Sequence, residues 1–448
     1  MLECSCKLRS VYISLWECLG YEYEFLVRGD GMKIKDIRAR EVFNSRGWPT
    51  LACDIYLEDG SCWSSSVPAG LSRGRHEAHV PFDNDARLWG RGMRQAAEAV
   101  ERDIAPLLLG RTVHAITMDL EIRDADGTQD KSLFGAPAML ATSMSLYRAH
   151  AHSEGVELYE FIGYAMGAES ISLPFPLFNL INGGLHANNN LLIQEFLAMP
   201  VNFTDFTSAF DAGVVLFHEL GNILKKEKIP YTFGEEGGYS PQLTNEKEAL
   251  DILQEAIAYV QLQYGYSFFC ALDVAASQLY DPASKQYQVR DAQMSSAEMV
   301  NFYVRLCEEY PICSIEDGLH EEDWEGWKLL TQMLKDRIQI VGDDIFVTNP
   351  HRIAYGIEHE IATASIIKPN QIGSVTEAIQ AIQLCQEHGW MTIISHRSGE
   401  TEDSFIADLA VGSNAGQIKA GGLTRGERLA KYNRLLTIED HLKRPLSE

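Results

Sequence analysis

The sequence predicts an α/β protein: a small domain of strands then helices, followed by an eight-fold α/β barrel. Three observations predict it. The chain has 448 residues, more than one compact core usually holds. Its hydrophobic pattern changes near Leu173-Pro174-Phe175-Pro176. Beyond that point, six short apolar runs in succession each finish on a residue able to do chemistry.

The elements follow in order. Met1 to Gly31 read as an N-terminal extension without a strong fold pattern. Their short apolar stretch, Val11 to Trp16, is cut by Glu17 and makes a poor signal-peptide core. Met32 then opens a strand-like segment, as a functional start or after a lineage-specific tail. Residues 32 to about 60 alternate apolar and polar and turn at Asp59-Gly60, as an antiparallel hairpin or meander does. Residues 67–77 form a loop rich in small and turn-forming residues. Helical periodicity fills roughly 90–165. The expected organisation is an extension over 1–31, an α+β domain over 32–170 and a barrel over 171–448.

After the boundary, apolar runs alternate with amphipathic helical segments, as parallel βα units do. Phe268–Leu272 ends on Asp273, and Ile312–Ile315 on Glu316-Asp317. Ile338–Gly342 ends on Asp343-Asp344, and Ala364–Ile367 on Lys368. Thr392–Ser395 ends on His396-Arg397-Ser398, and Gln417-Ile418 on Lys419. Leu191–Ile193 reads as a further run, with Gln194 and Glu195 at its end. In a barrel the carboxyl ends of the strands converge on one face, where active sites lie. No Gly-rich dinucleotide fingerprint follows a strand, which disfavours an open doubly wound sheet.

Composition narrows the function. A net charge of −25 and a pI near 4.9 argue against nucleic acid and anionic membrane as partners. No apolar run is long enough to span a membrane. Nine scattered Cys read as free thiols in a reducing compartment, so the cytoplasm is expected. Asp273, Glu316 and Asp343 form a hard oxygen set that favours Mg²⁺. Arg397-Ser398 offers a planar fork and a hydroxyl for a phosphate. Lys368, near a metal and other cations, is expected to have a lowered pKa and to act as a base. Glu236, in Gly234-Glu235-Glu236-Gly237-Gly238, and Glu195 are candidates for an acid, and His186 is a candidate pocket residue.

These residues lie in blocks that together resemble enolase, in its bacterial form, from about residue 32 to 448. The blocks include Asn44 to Thr50, Asn182 to His186, Gln194-Glu195-Phe196, Glu236-Gly237-Gly238 and Ser314 to Gly318. Ile367 to Gly373, Ser395 to Asp403, Gly416 to Lys419 and Glu427 to Asn433 continue the series. The resemblance implies reversible dehydration of 2-phosphoglycerate to phosphoenolpyruvate, with two Mg²⁺ per active site. It implies Lys368 as base and Glu236 as acid, with Glu195 nearby and His396 at the reacting end. Asp273, Glu316 and Asp343 would hold the first Mg²⁺, and Ser72 would help hold the second. Arg397 and Ser398 would grip the phosphate and Lys419 the carboxylate, with His186 and Gln194 lining the pocket. It also implies a homodimer or larger even oligomer in the cytoplasm, with a surface or secreted pool on the same ground. The chain departs from the usual blocks at Leu71, Arg73, Glu235, Pro137 and Ala420. Two alternatives stand beside this reading: a barrel lyase acting on acid sugars, and a catalytically weak enolase-like binding or scaffold protein.

Overall fold

The computed structural model describes residues 31–70 and 73–444. Strands β1 (Ile34–Phe43), β2 (Pro49–Leu57) and β3 (Cys62–Ser66) form an antiparallel meander. β2 is buried along nearly its whole length, because helix Ala136–Glu154 packs across it. That helix begins with Ala136-Pro137, where a first-turn proline loses no helical bond. Its Arg148 crosses to the rest of the protein and pairs with Asp403 through two bonds of 2.8 Å.

Eight further strands close a ring. β4 (Phe175–Asn182, interrupted at Leu177) pairs with β11 (Gly416–Lys419) on one side and β5 (Glu195–Val201) on the other. The Leu177 amide donates to Ile418 O at 2.8 Å across the interruption. The ring continues through β6 (Ser267–Asp273), β7 (Ile312–Glu316), β8 (Gln339–Gly342), β9 (Ala364–Ile367) and β10 (Met391–Ser395) back to β11. A separate apolar cluster plugs its interior, including Leu177, Leu197, Ala271, Val341, Ile366 and Ile393.

The ring is not wholly parallel. β5 runs antiparallel to both β4 and β6. This corrects the expectation for Leu191–Ile193, which lie outside any strand; Glu195 opens β5 instead of following one. Because β5 is reversed, its first residue reaches the face where its neighbours end. Glu195 is registered opposite Asp273, the last residue of β6. All six predicted strand ends also meet at that face. Among the described residues, no helix is long and apolar enough to cross a membrane.

Loops of the meander lie against the same face. Ala69 and Gly399 exchange backbone hydrogen bonds of 2.8 and 2.9 Å, and the Ser45 amide donates to Glu400 O at 2.7 Å. The N-terminal part thus packs against the loop that follows β10 at this face.

Candidate active site

One buried cavity at this face is lined by His186, Gln194, Glu195, Glu236, Asp273, Asp343, Lys368, His396, Arg397, Ser398 and Lys419. Glu316 joins them through Lys419, whose Nζ lies 3.0 Å from Glu316 Oε2. Ser72 lies outside the described residues.

The arc beside β4 and β5 carries the acids. Glu236 sits in the turn of a hairpin, Tyr231–Phe233 to Tyr239–Pro241, that pairs with β4. Its following glycines permit a close approach. Gly237 has φ +90°, and a Cβ there would meet Thr424 O at 2.6 Å. His186 Nδ1 is 3.3 Å from Glu236 Oε2 and 3.9 Å from Glu195 Oε1. The two carboxylates are driven apart. Burial, then the charge of Glu236, pushes Glu195 well above the usual carboxylate range. Burial also works against Glu236, but His186 and His396 overrule it and hold Glu236 well below that range. A proton held by the pair is therefore favoured on Glu195, and Glu236 is favoured as the carboxylate.

His396 has a defined tautomer. Arg428 is fully buried and its Nη1 lies 2.6 Å from His396 Nδ1. A guanidinium only donates, so Nδ1 is the bare nitrogen and the proton is on Nε2, 3.8 Å from Glu236 Oε1. Burial holds the ring well below its ordinary value, hence neutral. The same guanidinium donates to Arg397 O at 2.5 Å and Ser398 O at 2.6 Å, fixing that loop.

Lys419 enters the acidic floor instead of facing it. Its Nζ contacts Asp273 at 2.7 Å, Glu316 at 3.0 Å and Glu195 at 3.1 Å. Gln194 Nε2 donates to Asp273 Oδ2 at 3.2 Å. Glu316 is pushed up to about 8 by burial and then by Asp273. Asp317 accepts the Asp343 and Asp344 amides at 2.9 and 3.0 Å, so the loop after β7 clamps the loop after β8.

Lys368 departs from its expected direction. Burial lowers it, but direct pairing with Asp343 overrules burial and raises it above the ordinary lysine value. Gln371 and Thr348 complete the arrangement: Gln371 donates to Asp343 Oδ1 at 2.9 Å, and Thr348 Oγ1 donates to Gln371 at 2.8 Å. Thr348 Oγ1 also accepts the Lys368 amide at 2.8 Å.

Arg397 is held by an acid from the meander side. Its guanidinium donates to both oxygens of Glu77, at 2.9 and 3.1 Å, and to Asn370 Oδ1 at 3.0 Å. Glu77 also accepts the Gly74 amide at 3.1 Å.

The donor set fits a hard divalent cation. Asp317, Asp343 and Asp344 each offer an oxygen within 4.8 Å of the others. Glu316 Oε1 is buried without a hydrogen-bond partner. Of the predicted ligands only Asp343 belongs to that tight group, because Lys419 draws Asp273 and Glu316 together on the other side.

Sequence reasoning missed Asn179, Glu77, Gln371 and Arg428. Asn179 carried a usable signal, a polar residue inside the apolar run Leu177–Ile181. Arg428 and Gln371 lay in matched blocks without a role. Glu77 had no signal beyond its place at the end of the 67–77 loop.

The comparisons with known proteins agree with this architecture. A family model described as the enolase C-terminal TIM barrel domain matches residues 170–445, and one for the enolase N-terminal domain matches 34–162. Enolase of Natranaerobius thermophilus is 45% identical over 410 residues, 91% of this chain and 95% of that protein. Enolase of Sulfurimonas denitrificans is 44% identical over 412 residues, 92% and 97% respectively. The chain belongs to the enolase family.

Proposed function

We propose that the chain is a lyase that interconverts 2-phosphoglycerate and phosphoenolpyruvate, with Lys368 as base and the Glu195–Glu236 pair as acid. One observation carries the division of labour. Lys368 follows β9, four strands around the ring of eight from β5, while Glu236 and Glu195 sit together beside β4 and β5. A substrate between them meets a base on one side and an acid on the other, as an elimination across two carbons requires.

Lys368 takes the proton from C2. Its pairing with Asp343 must loosen for it to do so as a neutral amine. The pair beside β5 gives a proton to the 3-hydroxyl through Glu236, and neutral His396 directs an N–H towards Glu236. Lys419 meets the substrate carboxylate, while His186 and Gln194 line the pocket. Arg397 and Ser398 bind the phosphate. Asp273, Glu316 and Asp343 would hold the first of two divalent cations, which we take to be Mg²⁺ and which when bound would neutralise the negative charge that builds up as C2 loses its proton. Assembly as a homodimer or larger even oligomer belongs to the same reading, as does a cytoplasmic setting. The cytoplasm is supported by the free state of all six described cysteines. The charged groups gathered in one cavity favour turnover over a binding or scaffold role.

The test separates base from acid. Lys368→Ala is expected to abolish both dehydration and solvent deuterium exchange at C2. Glu236→Gln is expected to lose dehydration and keep exchange. Retained exchange in Lys368→Ala would assign the base elsewhere.

A further inference from the structure

Asn179 lies on β4 and is fully buried. Its Nδ2 donates to Glu195 Oε2 at 2.9 Å and to Glu236 Oε2 at 3.0 Å. One amide group therefore joins the two carboxylates of the acid arc. Its orientation follows from its partners: carboxylate oxygens accept, so the NH₂ faces them and Oδ1 faces away. Oδ1 has no hydrogen-bond partner. A Cβ built on Gly238 would approach it to 3.0 Å, and a Cβ on Gly422 would approach the Asn179 carbonyl to 2.7 Å. Bare glycines at Gly238, in the Glu236 turn, and at Gly422, after β11, thus leave room for Glu236 to lie against Asn179.

We propose that Asn179 is a positioning residue for the acid half of the reaction. The inference rests on the acid role given to the Glu195–Glu236 pair. In that half the electron pair left at C2 forms the C2–C3 double bond and the C3–O bond breaks. The departing hydroxyl takes the proton of the pair and leaves as water. Two ionised carboxylates then face each other in a buried site, where like charges repel strongly. An uncharged group that donates one N–H to each suits this product state and holds both oxygens in place before it forms. A Lys there would add charge and bulk, and an Asp would add a third negative group. Removal of the C2 proton takes place on the Lys368 side and makes no use of this amide.

The role predicts a split that loss of fold would not give. In Asn179→Ala, dehydration should fall about 10- to 100-fold, the usual cost of losing a group that orients a reacting residue. Deuterium exchange at C2 should stay within about threefold of the parent, since proton abstraction is untouched. An analogue with chloride in place of the 3-hydroxyl should also eliminate near the parental rate, because chloride departs without a proton. Asn179→Asp keeps the size and shape of the side chain and carries the same test if the alanine variant does not fold; it should show the same split. Loss of exchange, chloride elimination and dehydration together in both variants would make Asn179 a structural residue and overturn the proposal. Unchanged dehydration in both would overturn it as well. Glu236→Gln runs in parallel: parental dehydration in that variant would remove the acid assignment itself, whatever Asn179 does.

Discussion

Arg428→Met is the most demanding test of how the cavity is held. The guanidinium is fully buried and makes three short contacts, to His396 Nδ1, Arg397 O and Ser398 O, plus a longer one of 3.3 Å to Glu235 O. Methionine matches much of its length but donates nothing. Each buried acceptor left without a donor costs about 1–3 kcal/mol. Three such acceptors sum to roughly 3–9 kcal/mol, and relaxation of the loop brings the expected loss to the low end, about 3 kcal/mol. At about 2 °C per kcal/mol for a large domain, melting should drop by about 6 °C. Function should suffer separately. Arg397 and Ser398 lose their anchored carbonyls, so KM for the phosphorylated substrate should rise about tenfold or more. His396 loses the donor that keeps Nδ1 bare, which nitrogen-detected NMR of its ring reads directly. Arg428→Lys restores charge without the fork and should recover only part of either loss. An Arg428→Met protein with parental melting, KM and His396 tautomer would refute this account of the loop.

Four further outcomes are expected. Asp119, where helix Ala115–Asp126 meets helix Val375–Glu387, is pushed up to about 6 by burial and bonds Ser143 and Thr376. Its folded value lies above the ordinary 3.8, so its stabilising contribution is full below pH 4 and lost as pH rises through 6. Asp119→Asn should remove that loss of about 3 kcal/mol, seen as a flatter melting temperature between pH 4 and 8. Chelation should abolish turnover; readdition of Mg²⁺ to weakly buffered protein at neutral pH should restore it with release of protons, and calorimetry without release would count against the neutral carboxylates described above. Arg73, exposed and within the field of Glu77 and Arg397, should assist anion capture; Arg73→Thr should raise KM about threefold at low ionic strength and less at high. Light scattering at micromolar concentration should give the mass of a dimer or a larger even assembly, and a monomer would count against that assignment.

The barrel was legible because a parallel strand has one informative end. Asp273, Glu316, Asp343, Lys368, His396 and Lys419 each follow an apolar run, and the fold brings all those ends to one face. Glu195 was found as a site candidate for the wrong structural reason. Leu191–Ile193 has the composition of a strand, yet the strand begins at Glu195 and runs the other way. Polarity of a strand depends on its neighbours, which hydrophobic pattern does not record. The partner of Lys368 was missed for a similar cause: expectation placed it near a metal and among cations, while the folded chain also sets it directly on Asp343. Asn179 and Gln371 escaped notice because uncharged amides act through their contacts, and contacts between β4 and a hairpin some 57 residues away have no local signature.

An acidic chain that handles a phosphorylated acid must control its own charge before it can attract its substrate. The cavity does this in two ways. Burial keeps Glu195, Glu316, Asp317 and Asp344 well above the usual carboxylate range, which favours their neutral forms. The carboxylates that remain charged are those touching cations or imidazoles: Asp343 is held low by Lys368, and Glu236 by His186 and His396. Lys368, Arg397 and Lys419 are in turn held protonated by Asp343, Glu77 and Asp273. Each cation that would meet substrate is therefore already engaged by a protein carboxylate. A substrate phosphate or carboxylate has to displace that partner, and the displaced carboxylate then needs a new counter-charge. Divalent cations bound on the acidic floor would meet that need, since Asp273, Glu316 and Asp343 as their ligands would leave Lys368 and Lys419 free to face the anion. Shared carboxylates would then couple cation binding to substrate binding, and a protein with a net charge of −25 could build its anion site from two lysines and one arginine beside two histidines.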